Sequence, residues 1–155
     1  MKIDDLMTRD VSTIHPDDNL ATAARKMWEH DCGILPVVHP EDGTLVGVLT
    51  DRDVCISTCM EGAAPGEIPV VKAMSRQLFT CPTGSDLAAV HNVMRRNQVR
   101  RVPVVDGERK IVGLISINDL ALAADAATGP KAGEQRAEVA RTLAAVCRHH
   151  VAAGA

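Results

Sequence analysis

Apolar residues along this chain fall into two kinds of run. Some are short and continuous: GILPVV at 33–38 and RRVPVV at 100–105, followed after a polar turn by TLVGVL at 44–49 and KIVGLI at 110–115. Runs of that length, rich in β-branched residues, predict strands. The turns between them, HPEDG and DGERK, are too short for a crossover, so each pair predicts an antiparallel hairpin. Other apolar residues recur at helical spacing, as Leu20, Ala24 and Met27 do, and later Leu87, Val90 and Met94. Asp17 or Asp18, and Ser85 in the later stretch, are candidate N-caps for those helices. Short strands are expected at 11–14 and 78–80, closed by His15-Pro16 and Cys81-Pro82. Further helices are expected to begin at Thr50 and Ser116.

These elements are one set written twice. Met7 aligns with Met74, Leu20 with Leu87, Met27 with Met94 and Pro36 with Pro103, all at an offset of 67. Pro16 aligns with Pro82 and Val46-Gly47 with Val112-Gly113 at an offset of 66. Each slip between the two offsets falls in a turn-rich stretch, as expected of a duplication. The expected class is α+β, each copy running β-α-β-β-α. The layout read from the sequence is copy one at 1–58, a linker at 59–72, copy two at 73–122, a second linker at 123–133 and a last helix at 134–150.

Composition narrows the chemistry. The 155 residues carry a net charge of −3, so no basic field favours duplex nucleic acid. One Phe, one Trp and no Tyr leave few platforms for stacking bases. No apolar run approaches the roughly 18 to 20 residues of a membrane span. The opening MKIDDLMTRD lacks a basic stretch followed by an apolar one. Five cysteines at irregular spacing suit reduced thiols, so a cytoplasmic protein is expected. No nucleophile elbow, P-loop or His-Glu-x-x-His is present, and nothing in the chain requires an enzyme.

Each copy closes on Gly-x-x-Thr/Ser-x-x-Asp: GVLTDRD at 47–53 and GLISIND at 113–119. A capping box accounts for the hydroxyl and the acid without any ligand, the hydroxyl holding an orphan amide and the acid reaching back. The same atoms can serve a nucleotide. A helix N-terminus offers free amides and a partial positive charge to phosphate, and an aspartate one turn in can accept both hydroxyls of a ribose. Gly47 and Gly113, lacking side chains, would let a flat base lie against the backbone.

The order of elements and the repeated closing strings resemble the CBS domain, here as a tandem pair over roughly residues 1–122. The resemblance implies two motifs packed head to tail through their sheets as a pseudo-two-fold pair. It also implies clefts between them that take adenosine compounds: AMP, ADP, ATP or S-adenosylmethionine. By the family's pattern, Thr50 and Asp53 would share a ligand with Phe79, Thr80, Val99, Arg100, Arg101 and Val102. Ser116 and Asp119 would share one with Thr13, Ile14, Cys32, Gly33, Ile34 and Leu35. Arg100 and Arg101 suit bidentate phosphate recognition; the other reading is a solvated strand end with a salt bridge. The second set has no arginine and would suit an uncharged or cationic adenosyl group.

Cys55 and Cys59, one helical turn apart, could form half a metal site with His30, His39 or His91. No Cys-x-x-Cys supports this, and burial in a helix is the commoner fate of cysteine. Trp28 is expected to pack on its neighbours, and His149-His150 to end the last helix. In that helix Val139, Leu143 and Val146 form an apolar stripe that must be buried on its own pair or on a partner. The expected whole is a cytoplasmic, homodimeric sensor that binds an adenosine-containing small molecule and signals to an unknown protein partner. It needs no cofactor and binds neither nucleic acid nor membrane. The alternatives are a ligand-free dimerisation or interaction module and a thiol or metal sensor.

Overall fold

The structure, a computed structural model, describes residues 2–148. His149 and His150 lie outside the described residues. The chain is mixed α+β. Its elements are α1 (Leu20–Glu29), β1 (Ile34–Val38), β2 (Leu45–Thr50), α2 (Asp51–Glu61), α3 (Val70–Ala73), β3 (Cys81–Pro82), α4 (Leu87–Asn97), β4 (Arg101–Val105), β5 (Ile111–Ser116), α5 (Ile117–Ala126) and α6 (Ala132–Val146). No helix among the described residues is long and apolar enough to cross a membrane.

Contacts divide the chain into two compact units. One, the first-copy unit, comprises Asp10–Leu78 and Val105–Val112. Its sheet is the β1–β2 hairpin, antiparallel as expected, with Ile34 opposite Thr50 and Val37 opposite Gly47, and an irregularity between Val37 and Val38. All of β1 is buried, whereas β2 alternates between buried and half-buried positions. Leu35, Val37 and Leu49 meet Leu20, Ala23 and Met27 of α1 in one core with Ile14, Ile68, Val70 and Met74.

The strand expected at 11–14 shrinks to a single parallel bridge, Ile14 to Val37. Ile14 N donates to Pro36 O at 3.1 Å and Val38 N donates to Ile14 O at 2.9 Å. The next bond back would need an N–H on Pro36, and the next forward one on Pro16; neither residue has it. Prolines on both sides stop the ladder at one residue.

Residues 2–9, Phe79–Val104 and 113–148 form the second-copy unit. The N-terminal segment thus lies with the second copy: Thr8 N donates to Leu114 O and Leu114 N to Thr8 O, both at 2.9 Å. The matching segment ahead of the second copy makes the same exchange in the first-copy unit. There Val48 N donates to Ser75 O at 3.0 Å and Ser75 N to Val48 O at 2.9 Å. Close approach at these pairings sets the two glycines. A Cβ on Gly113 would collide with Met7 Sδ, and one on Gly47 would meet Met74 Sδ at 2.9 Å. The expected open space for a base at Gly47 and Gly113 is filled by methionine.

The second-copy sheet runs β3-β4-β5. Its first strand lies at Cys81–Pro82 rather than 78–80, because Cys81 is the buried side chain there while Leu78, Phe79 and Thr80 are half-buried. Helix starts also moved. Asn19 Oδ1 accepts from Thr22 N and Asp86 Oδ1 from Ala89 N, both at 2.9 Å, making these the caps. Asp18 instead accepts from His15 N, and Ser85 Oγ donates to Pro82 O. On α1 the buried alanine is Ala23, and Ala24 is exposed.

Helix α6 packs on α4 and α5 of its own unit, which answers where its stripe goes. The buried positions are Ala132, Thr142 and Val146, with Val139 half-buried and Leu143 exposed. Leu143, expected in the stripe, turns outward, and polar contacts hold the helix beside its buried apolar positions. Arg95 pairs with Glu138 and donates to Thr142 Oγ1 at 3.3 Å. Gln98 Nε2 donates to Ala145 O at 3.3 Å, and Arg136 Nη2 donates to the carbonyls of Asp125 and Ala127 at 3.1 Å.

Candidate functional site

Both Thr/Ser-x-x-Asp units stand where a strand turns directly into a helix. Thr50 ends β2 in extended backbone (φ −107°, ψ 162°) and caps α2; Ser116 ends β5 the same way (φ −114°, ψ 164°) and caps α5. In the first, Asp53 Oδ2 accepts from Thr50 N at 2.9 Å and from Thr50 Oγ1 at 2.6 Å. Asp53 N returns a bond to Thr50 Oγ1 at 3.2 Å. In the second, Asp119 Oδ2 accepts from Ser116 N and Ser116 Oγ at 2.7 Å each, and Asp119 N donates to Ser116 Oγ at 3.3 Å. The capping boxes are therefore formed in both copies.

The bonds leave something over. Among the described residues, every hydrogen bond to Asp53 and Asp119 from the cap falls on Oδ2. A carboxylate has lone pairs on both oxygens, so each Oδ1 retains its capacity to accept while Oδ2 holds the turn. The two junctions differ in charge. At the first helical position α2 carries Asp51, exposed, and α5 carries Ile117, buried. The added carboxylate makes the start of α2 less welcoming to phosphate than that of α5.

Each junction is tied to the strand start of its own copy. Asp51 N donates to Gly33 O at 3.4 Å, and Ile117 N donates to Arg100 O at 2.9 Å. Thus Gly33 and Ile34 stand with Thr50 and Asp53 in the first-copy unit, and Arg100 and Arg101 with Ser116 and Asp119 in the second. Arg100 is exposed; Arg101 and Val99 are half-buried. Neither arginine forms a salt bridge among the described residues. Thr13, Cys32, Phe79 and Thr80 are half-buried, whereas Ile14, Ile34, Leu35 and Val102 are core residues. Sequence reasoning missed Lys26, whose Nζ donates to Thr13 O at 2.8 Å. It brings a cation to a strand end that has no arginine in its own sequence. A residue separation of 13 with no shared motif offered no signal.

Other candidates dissolve or move. Trp28 does not pack on its neighbours; it is 87% exposed, one position beyond the buried Met27 and so rotated off the inner face of α1. Cys55 and Cys59 are exposed rather than buried, because α2 buries no residue at all. Among the described residues no group of three or more His, Cys, Asp or Glu side chains could hold a metal ion.

The family model for the CBS domain matches residues 3–56 and 66–125. The chain belongs to the CBS domain family. It is similar to the CBS domain-containing protein YhcV of Bacillus subtilis, with 37% identity over 120 residues, 77% of this chain and 83% of that one. It is also similar to Hypoxic response protein 1 of Mycobacterium tuberculosis, with 33% identity over 117 residues, 76% of this chain and 80% of that one. A crystal structure of Hypoxic Response Protein I with two coordinated zinc ions matches at 32% identity and a TM-score of 0.69, covering 79% of this chain and 98% of that one. The fold is also that of the CBS domain pair of protein MJ0100, solved with 5′-methylthioadenosine and S-adenosyl-L-methionine. That match has 24% identity and a TM-score of 0.71, covering 79% of this chain and 94% of that one.

Proposed function

We propose that this chain is a regulatory, non-enzymatic module that binds adenosine nucleotides, with Asp53 and Asp119 each accepting ribose hydroxyls. The observation that carries the reading is the spare Oδ1 on both capping aspartates. A cap needs one oxygen, and the second is in place for a diol without loss of the turn. The residues proposed to contact ligand are Thr13, Cys32, Gly33, Thr50 and Asp53 of the first-copy unit and Phe79, Thr80, Val99, Arg100, Arg101, Ser116 and Asp119 of the second-copy unit. The buried Ile14, Ile34, Leu35 and Val102 anchor those strand ends. The guanidinium groups of Arg100 and Arg101 meet the phosphate. The two motifs of the proposed module span residues 1–58 and 73–122, as read from the sequence. That a CBS pair of this fold was crystallised with adenosyl compounds supports the reading.

Calorimetric titration with AMP and ATP tests it. Asp53→Ala is expected to weaken binding by about 1.5 to 3 kcal/mol, roughly tenfold to a hundredfold. The melting temperature, followed alongside, separates ligand loss from cap loss. Unchanged affinity in both Asp53→Ala and Asp119→Ala would leave the aspartates as caps alone.

The same module is proposed to work in the cytoplasm as a homodimer that passes nucleotide occupancy to a partner protein. Since α6 packs on its own chain, the basis for self-association is the apolar surface of α1 and α2. There Trp28 is 87% exposed, Met60 82% and Ile56 42%. Light scattering at micromolar concentration is expected to give twice the chain mass, and Trp28→Asp with Met60→Asp to halve it. A monomeric wild type would end the dimer reading.

A further inference from the structure

We propose that a cavity of about 440 Å³ in the second-copy unit, walled by α4, α5 and α6, binds a small organic anion with a flat apolar body. This site goes beyond the nucleotide reading and shares no residue with it. Its volume falls in the range of small-molecule pockets, roughly 300 to 1,000 Å³. Leu87 and Ala88 line it from α4, Leu120, Ala123 and Ala124 from α5, and Val139 from α6. Three alanines among these six wall residues leave a slot between the helices that longer side chains would fill.

The floor supplies one directed polar group. His91, buried, lines the cavity, and its Nδ1 stands 2.8 Å from Thr142 Oγ1. The Thr142 oxygen already accepts from Arg95 Nη1 at 3.3 Å. In the tautomer we assign, the Thr142 hydroxyl donates to Nδ1 and the ring proton sits on Nε2. That nitrogen has no hydrogen-bond partner among the described residues, and no buried side-chain nitrogen among them is without one. Nε2 therefore opens to the cavity as an N–H donor. Burial lowers the affinity of His91 for a second proton and keeps the ring in this neutral form.

Charge around the slot selects the ligand. Lys131, Glu134 and Glu138 line it, and Glu138 carries salt bridges to both Arg95 and Arg141, which stand outside the lining. With those two arginines counted, three cations face two carboxylates, one net positive charge beside an N–H donor. An apolar slot with that balance fits a monoanion whose carboxylate or sulfonate accepts from Nε2. Helix α6 lies beyond the repeat, and the first copy carries the exposed Ala24 where the second carries His91. The cavity therefore belongs to the extension and not to the family's repeated unit.

The test uses the full chain and two dyes, anilinonaphthalene sulfonate and its neutral counterpart N-phenylnaphthylamine. The anionic dye is expected to bind one saturable site and to bind more tightly than the neutral one. Ala88→Trp, an exposed wall position, fills the slot and should weaken the anionic dye about tenfold or more. Ala123→Leu, from the α5 wall, gives a second block should the first variant not fold. Lys131→Glu, also exposed, should weaken the anionic dye by about three- to tenfold and leave the neutral one unchanged. Absence of saturable binding, or wild-type affinity in both blocked variants, overturns the site. Equal affinity for the two dyes together with an inert Lys131→Glu overturns the anion.

Discussion

Helices α1 and α4 are the same helix of the repeat, and they agree on one face and part on the other. On the inner face Ala23 matches Val90 and Met27 matches Met94, and all four are buried. On the outer face the exposed Ala24 matches the buried His91, and Trp28 at 87% exposure matches Arg95, which holds Glu138 of α6. Duplication kept what the sheet needs. What changed is the layer outside, where α6 covers α4 and α5. The inner pattern is thus a property of the repeat, and the outer one depends on a helix found only once.

The sharpest way to break this comparison is to exchange its key residues. His91→Ala removes a buried ring, enlarges the cavity and leaves the fully buried Thr142 hydroxyl with only its bond from Arg95. We expect it to lower stability by about 1.5 to 3 kcal/mol. Ala24→His, the mirror change on an exposed face, is expected to stay within about 0.5 kcal/mol. Urea unfolding of both variants is the check. Equal costs would mean that α6 does not distinguish the two faces.

The same contrast marks what was legible in the sequence. The hairpins, the duplicated order and both capping boxes could be read, because they depend on residues within a few positions of one another. Hydrophobic spacing put Met27 and Met94 inside for the same reason. What failed depended on distant partners. The strand at 11–14 is cut short by Pro36, more than twenty residues on, and the place at Gly113 is taken by Met7 from the far end of the chain. Trp28 was assigned to packing by its size, but exposure is set by what lies over a helix. Arg100 and Arg101 could be picked out by type as candidates for phosphate; Lys26 could not be placed, since only the folded chain brings it to Thr13.

A smaller effect should follow acid. Burial, above all, lowers the pKa of His91 from its ordinary 6.5, with Arg95 and Arg141 adding to the fall and Glu138 opposing it. The unfolded chain then binds the proton more readily. The stability this group gives is complete above about pH 6.5 and is lost as pH drops through the lowered value. Hydrogen bonds from Arg95 and then Arg141 hold Glu138 down at about 2 against 4.5 when free. Its share is present above pH 4.5 and disappears toward pH 2. Both losses fall on contacts between α4 and α6. The His91 loss is the one in reach at pH 5, so hydrogen exchange, corrected for intrinsic rates, should show α6 opening more readily at pH 5 than at pH 7.5, with α1 changing less. A uniform response along the chain would count against a local acid-labile clasp.

The smallest difference is expected at the caps. Thr50→Ala and Ser116→Ala remove the same hydroxyl from the same motif, and each should cost about 1 kcal/mol. The helices they start are not equally supported. Helix α5 buries Ile117, Leu120 and Ala124 and is packed by α6, whereas α2 buries nothing. A helix without a buried face depends more on its ends, since packing supplies most helical stability in proteins. Thr50→Ala should therefore fray α2 locally, raising amide exchange over its first turns. Ser116→Ala should leave α5 protected and show its cost only in global unfolding. Thr50→Ser restores the oxygen that accepts from Asp53 N and should bring the exchange of α2 back to the wild-type level. Equal local fraying at both sites would mean that tertiary cover does not separate the two copies at this level, and that the capping box alone governs each helix start.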